Sequence, residues 1–364
     1  MAKVKTTVKQ KVKAQEELGG GVMEVGELAP AVAMANKILE QLDMILLGRP
    51  ELHRLVLIGI LSKGHILLEG VPGVGKTMLV KALGELMNLK FKRVQFTPDL
   101  MPGDILGTHI LEETGEGRRH MRFEEGPVFT NILLADEINR ASPKTQSAML
   151  EAMQERCVTL LGQTRELPAP FFVLASQNPI ELEGTYPLPE AQLDRFLFKL
   201  IVGNSDTEVL NEIITTRRHG ETPKPTWTMG AEQLEELYEV MGRIFLPKPV
   251  AHYISRLVTA THKDSEEATE QVKNYVDYGA SPRAAIAIAE ASRGHALLEG
   301  RPTVGFEDVK AVTAAVINHR IILNYKARFD RVDAFGVVDG LLRSMDETGL
   351  NLPRDIEVAG ADEK

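Results

Sequence analysis

Gly70-Val71-Pro72-Gly73-Val74-Gly75-Lys76-Thr77 reads G-x-x-x-x-G-K-[S/T], a loop pattern that cradles phosphate. The apolar run His65-Ile66-Leu67-Leu68 precedes it and an amphipathic stretch, Met78 to Leu86, follows. That order is strand, loop, helix. Glycines without Cβ atoms let backbone N–H groups curl around an anion, and the N-terminus of the following helix adds its positive dipole end. In such a loop Lys76 reaches the β- and γ-phosphates, Thr77 offers a hydroxyl to Mg²⁺, and Gly70 to Met78 together line the nucleotide. A glycine-rich turn matching by chance is the competing reading, and the flanking strand and helix count against it.

A triphosphate site also needs an acidic residue at the tip of a buried strand. Asn131-Ile132-Leu133-Leu134-Ala135 is a continuous apolar run of the kind a buried parallel strand shows, and it ends in Asp136-Glu137. Two adjacent carboxylates there would be costly if simply buried. Beside a cation and a triphosphate they have roles: Asp136 holds Mg²⁺ and Glu137 orients or deprotonates the attacking water. A surface pair ending a strand is the bland alternative.

The chain has 364 residues, of which 43% are hydrophobic and 26% charged, enough for two or three globular domains. Its formal net charge of −9 argues against nucleic acid as a partner. Cys157 is the only cysteine, so an intramolecular disulfide and a thiolate metal cluster are both excluded. The nine histidines show no metal-ligand spacing. No apolar run approaches the roughly 18 residues of a membrane span, and the lysines near the N-terminus precede no apolar core. The cytoplasm is the expected compartment.

Alternating strands and helices predict an α/β domain over 29–203 with a parallel sheet and right-handed crossovers. Predicted strands are at His65–Leu68, Phe91–Phe96, Ile132–Ala135, Phe171–Ala175 and Phe196–Ile201; early helices are predicted over Ala33–Leu46 and Glu51–Lys63. Residues 1–28 read as a lysine-rich, glycine-ended flexible arm, 204–229 as a linker with Pro223 and Pro225, and 346–364 as an acidic tail. Between them, 230–345 shows only helical periods, including a predicted helix from Phe306 to Leu323, so an all-helical second domain is expected. Two insertions interrupt the α/β domain. Residues 108–129 predict a hairpin with Arg118, Arg119 and Arg122 at its tip, and 157–170 a second hairpin turning at Leu161-Gly162-Gln163. Both are candidates for touching something outside the domain.

With these motifs in order, the chain resembles the AAA+ ATPases and, within them, the MoxR family. Ser176-Gln177-Asn178-Pro179 resembles the sensor-one segment, with Asn178 as its polar residue. Leu188-Pro189-Glu190-Ala191-Gln192-Leu193-Asp194-Arg195-Phe196 resembles a MoxR signature, which makes Arg195 the arginine finger supplied to a neighbouring subunit. Gly279-Ala280-Ser281-Pro282-Arg283 resembles the sensor-two segment and implies that Arg283 nears the phosphates from the lid. Asp136-Glu137-Ile138-Asn139-Arg140 also matches, leaving Arg140 as either an interface residue or a surface arginine. The two hairpins fall where the family carries its helix-two insert and pre-sensor hairpin. The resemblance spans about Ala33 to Ser344 and finds every catalytic position filled.

Singly, these residues have plainer explanations. Asn178 could cap a turn, Arg195 could pair with Asp194 at the surface, and Arg283 sits in a first helical turn that disfavours a cation. Together the resemblance implies a P-loop AAA+ core with a helical lid, nucleotide between the two, and ATP and Mg²⁺ as ligands. Gly48 and Arg49 are placed near the adenine. It further implies a homo-oligomeric ring, as a hexamer, and a chaperone-like role in remodelling a client protein or enzyme complex. A partner with a von Willebrand factor A domain is implied as well. A nucleic-acid motor and a nucleotide-regulated scaffold are the alternatives.

Overall fold

The computed structural model describes residues 23–71, 73–113, 119–179, 184–217 and 223–347. Most of the expected arm, the tip residues Gly115 to Arg118, Pro72 of the phosphate loop and most of the acidic tail lie outside the described residues.

Five strands form one sheet: β1 Ile66–Glu69, β2 Phe91–Gln95, β5 Ile132–Asp136, β8 Phe172–Gln177 and β9 Phe198–Ile201. Their order is β2-β5-β8-β1-β9 and every neighbouring pair is parallel. Alternate side chains point to opposite faces. Ile66, Leu68, Ile132, Leu134, Phe172 and Leu174 therefore join one core, while Leu67, Leu133, Ala135, Val173 and Ala175 join another with Phe96, Ile105 and Met149. The first core continues without a break into the C-terminal helices as far as Met345. The helices Val25–Ile45 and Pro50–Leu61 lie between sheet and lid and contribute to both.

The two insertions are the expected hairpins. β3 Gly107–Glu113 pairs antiparallel with β4 Arg119–Glu125, and β6 Cys157–Leu160 with β7 Gln163–Glu166. The second turns on Leu161 and Gly162, both at positive φ (50° and 77°), as a two-residue turn requires. In the first, Arg122 is not at the tip. It sits opposite Ile110 in mid-strand, and it pairs with Glu112 and Glu124 at 3.2 Å each.

Several boundaries differ from expectation. The first helix begins at Val25 and runs through Pro30, because burial of Leu28 and Ala31 outweighs the one backbone bond that proline removes. The expected linker contains the helix Thr207–Thr216, capped by Asp206. The helix from Phe306 ends at Ile317, six residues early, where the Asn318 side chain caps Ala314 O and Ala315 O. Ile322–Leu323 then forms β11 and pairs with β10, Val276–Tyr278, a strand pair inside a domain expected to be all-helical. No helix among the described residues is long and apolar enough to cross a membrane.

His65, at the entry to β1, is buried. Its Nδ1 accepts from the Val173 N–H at 3.0 Å and its Nε2 donates to Met153 O at 3.1 Å. Burial pushes its pKa down to about 4. The neutral ring is favoured on folding, so the unfolded chain binds the proton between the folded value and an ordinary value near 6.5. His65 then contributes stability in full above pH ~6.5, roughly 3 kcal/mol, and loses it as pH falls toward ~4. Urea midpoints measured from pH 7 to pH 5 are expected to drop in the natural protein and to drop distinctly less in His65→Gln. Equal slopes would contradict this assignment.

Candidate nucleotide site

The carboxyl ends of β1, β2, β5 and β8 meet at one sheet edge, the place where open α/β sheets bind ligands. β1 delivers the phosphate loop. Gly70 must be glycine: a Cβ there would lie 2.5 Å from the Val202 carbonyl oxygen. Gly73 and Gly75 take positive φ, 84° and 90°, and Gly75 caps the helix Lys76–Leu86. Val71 and Val74 flank them half-buried, and Met78 lies in the first turn of that helix. Lys76 is 9% exposed and donates through Nζ to Gly70 O at 2.5 Å and Gln177 O at 3.3 Å. Burial lowers its pKa, against the pull of Asp136, Glu137 and Glu69. An ammonium held by neutral carbonyls at the mouth of a loop of positive-φ glycines fits a phosphate anion.

Asp136 and Glu137 are held by groups from two strands, β2 and β8, and from the turn that follows β5. Asp136 Oδ2 accepts from Arg93 Nε at 3.0 Å and Nη2 at 2.7 Å, and Oδ1 accepts from Ser176 Oγ. That same hydroxyl accepts from the Glu137 N–H at 2.9 Å. Glu137 takes φ 56° and ψ 48°, a left-handed conformation rare for a non-glycine residue. Its Oε2 accepts from Gln95 Nε2 at 2.7 Å and Arg140 Nη1 at 2.9 Å. Asn178, the residue after β8, is buried. The described residues contain no cluster of three or more His, Cys, Asp or Glu that could hold a metal. A divalent ion here would depend on Thr77, Asp136, phosphate oxygens and water.

The segment with Gly48 and Arg49 lies beside the loop, since a Cβ on Gly75 would be 3.6 Å from Leu46 Cδ2. Gly48 has φ 77° and abuts Val209, and Arg49 Nη2 donates to Gly203 O at 2.8 Å. Arg49 Nη1 is buried without a hydrogen-bond partner among the described residues, and burial lowers the guanidinium's pKa. An orphaned donor next to the phosphate loop suits a nucleotide.

Arg195 and Arg283 are elsewhere. Both line a cleft of about 400 Å³ with Lys63, His65, Arg156 and Arg320, at the entry end of β1. The strand's four residues separate that end from the loop by roughly 13 Å, at about 3.3 Å per residue. Arg195 Nη1 donates to Leu150 O at 2.9 Å while its Nε is buried without a partner among the described residues. Arg283 lies 3.6 Å from Asp194 Oδ2. The expectation that Arg283 meets the phosphates of its own chain, with nucleotide between loop and lid, is therefore not met. Ser281 and Arg320 tie the start of the lid helix Pro282–Leu298 to Asp194 instead.

Sequence reading also missed Arg93, Gln95 and Ser176. Gln95 closes a legible strand, but only the strand order puts β2 beside β5.

This geometry is that of a P-loop ATPase, and the comparisons agree. Residues 65–198 match the family model "ATPase family associated with various cellular activities (AAA)", and residues 268–339 match an AAA lid domain. The protein named Chaperone MoxR1 of Mycobacterium tuberculosis is 44% identical over 319 residues, 87% of this chain and 83% of its own. Protein MoxR of Methylorubrum extorquens is 29% identical, over 86% of this chain and 94% of its own. A crystal structure from Cytophaga hutchinsonii, described as a candidate ATPase, superposes with a TM-score of 0.79 at 37% identity, covering 92% of this chain and 98% of that one. The chain belongs to the MoxR family of AAA+ ATPases.

Ser176→Ala would strip partners from Asp136 Oδ1 and the Glu137 N–H at once. Leaving buried polar groups unsatisfied costs about 1–3 kcal/mol. The expected result is a lower urea midpoint together with a slower ATPase rate; an unchanged midpoint would show that the hydroxyl bridges nothing.

Proposed function

We propose that the protein is a Mg²⁺-dependent ATPase that hydrolyses the β–γ anhydride of ATP as a homo-oligomeric ring, a hexamer on the family pattern, and uses the cycle to remodel or activate client proteins. The observation that carries this reading is the split of one catalytic set over two ends of the sheet. Lys76, Thr77, Asp136, Glu137 and Asn178 gather at the carboxyl edge, while Arg195 and Arg283 lie at the opposite end. Each chain then carries the cation half of a site for its neighbour.

Within the site, the loop amides and Lys76 would bind the β- and γ-phosphates. Mg²⁺ held near Thr77 and Asp136 would neutralise charge building on the phosphate oxygens. Glu137 is placed by Gln95 and Arg140 and would take the proton of an in-line water. Asn178 would help hold that water. Arg195, with Arg283, would neutralise transition-state charge from the neighbouring subunit, a contribution of roughly 10³–10⁵ in rate. Arg140 acts here on Glu137 of its own chain.

The client role rests on the relative named as a chaperone and on the two hairpins. Leu111 and Met121 face each other across β3 and β4 and are 60% and 57% exposed. A cross-strand apolar pair left in water is suited to a protein partner. A nucleic-acid motor fits less well, since Arg119 and Arg122 of this hairpin are answered by glutamates. A von Willebrand factor A-domain protein remains the proposed partner, and the cytoplasm, with its ATP, the proposed compartment.

Lys76→Ala is expected to lose ATP binding, and Glu137→Gln to bind ATP but not hydrolyse it. Arg195→Ala should bind ATP and turn it over slowly. Mixed with Lys76→Ala it should regain activity, because good fingers then face good loops. Near-normal turnover of Lys76→Ala and Glu137→Gln would sink the site. Mixed rings that form by native mass spectrometry yet stay inactive would sink the shared-site reading.

Replacing Leu111 and Met121 together by serine should leave basal ATPase within about twofold, since neither belongs to a phosphate-contacting motif, and weaken recovery of proteins that co-purify with Glu137→Gln. Loss of nucleotide binding in a folded double variant would assign the hairpin to the catalytic site instead.

A further inference from the structure

Asp194, the residue before the finger, is approached by three groups of the lid. Arg320 Nε donates to its Oδ1 at 2.9 Å, Ser281 Oγ donates to its Oδ2 at 3.0 Å, and Arg283 lies 3.6 Å from the same oxygen. Arg320 goes further. Its Nη1 donates to Leu197 O at 3.0 Å, and its Nη2 to Phe196 O at 2.6 Å and Asp194 O at 3.3 Å. The two residues before it act on the same stretch. His319 Nε2 donates to Phe196 O at 3.0 Å, and Asn318 Nδ2 donates to Lys199 O at 3.0 Å.

Three consecutive lid residues thus clamp the turn after the helix Glu190–Leu193 and the start of β9. Arg320 is 9% exposed, and a planar guanidinium with five donors fixes direction as well as distance. A buried ion pair is a weak source of net stability compared with apolar packing, and its best-attested use is to enforce one arrangement. The arrangement enforced here belongs to the backbone that carries Arg195.

We propose that Arg320 is a positioning residue: it locks the Asp194–Phe196 segment to the helical lid, so that lid placement sets how Arg195 is presented to the neighbouring subunit. The inference rests on the reading of Arg195 as a finger acting in trans. A lid shifted by nucleotide at its own subunit would move the finger offered to the next one, which couples successive sites around a ring.

The test uses full-length chains in mixed rings. Arg195→Ala subunits keep good loops, and Lys76→Ala subunits supply good fingers and should rescue them. Lys76→Ala subunits that also carry Arg320→Lys keep the buried cation but not the fork. Their rescue is expected to fall by roughly 10²-fold, as for a displaced catalytic group. KM for ATP should stay within about twofold, and ring formation by native mass spectrometry should be unchanged. Added to Arg195→Ala in the same chain, Arg320→Lys should cost nothing further in kcat.

Full rescue by the double variant would overturn the proposal. So would a loss that merely tracks the fraction of rings formed, or one that adds to that of Arg195→Ala. If Lys76→Ala alone fails to rescue, the trans reading itself falls and takes this inference with it. Should Arg320→Lys not fold, Ser281→Gly removes a different lid anchor on Asp194 at a helix cap that tolerates glycine. Its rescue is expected to drop by about threefold for the loss of one hydrogen bond, and undiminished rescue would again overturn the proposal.

Discussion

Everything at the site depends on β1 running parallel between β8 and β9. Parallel pairing puts all carboxyl ends on one edge and all entry ends on the other. The register then brings Glu69 level with Gln177 and Gln95 level with Asp136, which gathers loop, carboxylates and polar strand ends within hydrogen-bond reach. The same constraint sends Asp194 and Arg195, just before β9, to the far side. On the proposed reading, the two halves of the chemistry lie on different surfaces and meet only where two copies of the chain touch.

The sequence made much of this legible because the informative patterns are local. A phosphate loop needs eight adjacent residues, and a buried strand announces itself as an apolar run ending in Asp136-Glu137. Both hairpins were readable from alternation around glycine. What stayed hidden depends on which distant elements are neighbours. Gln95 and Arg93 matter only because β2 lies against β5, and Ser176 only because β8 lies on the other side of it. Motif order points Arg283 at the phosphates from the lid. Motif order carries no information about which side of the sheet the lid packs on, and the ties of Ser281 and Arg320 to Asp194 put it at the entry end. The overlong helix to Leu323 failed for a local reason instead. Helical periodicity continues past Ile317, but Asn318 turns back to cap the last carbonyls.

The carboxylate that follows β5 shows how strain and satisfaction combine. Glu137 holds a backbone conformation that costs of order 1–3 kcal/mol in a non-glycine residue. Ser176 holds its N–H, and Gln95 and Arg140 hold its side chain. The strained conformation turns the chain sharply after β5, so that Asp136 ends the strand while Glu137 projects toward Gln95 and Arg140. With both residues extended, their side chains would point to opposite faces of the sheet, and the two carboxylates could not serve one phosphate site.

Lid and sheet share one apolar core, and that core is non-directional. Ala, Ile, Leu and Val surfaces resist separation but tolerate small rotations at little cost. Polar joints behave in the opposite way, because a buried donor that loses its angle loses its partner. The cluster Asn318-His319-Arg320 is a polar joint in this interface, beside the Ser281–Asp194 bond, and all its bonds to the sheet domain end on residues 194–199. Packing therefore keeps the lid attached, while the joint selects which of the nearby orientations it takes. The strand it grips begins three residues after Arg195 and is followed by Val202, whose carbonyl abuts Gly70 of the phosphate loop. One short strand of four residues thus joins the segment that carries Arg195 to the phosphate loop, and on the proposed reading it is a mechanical path between the two half-sites.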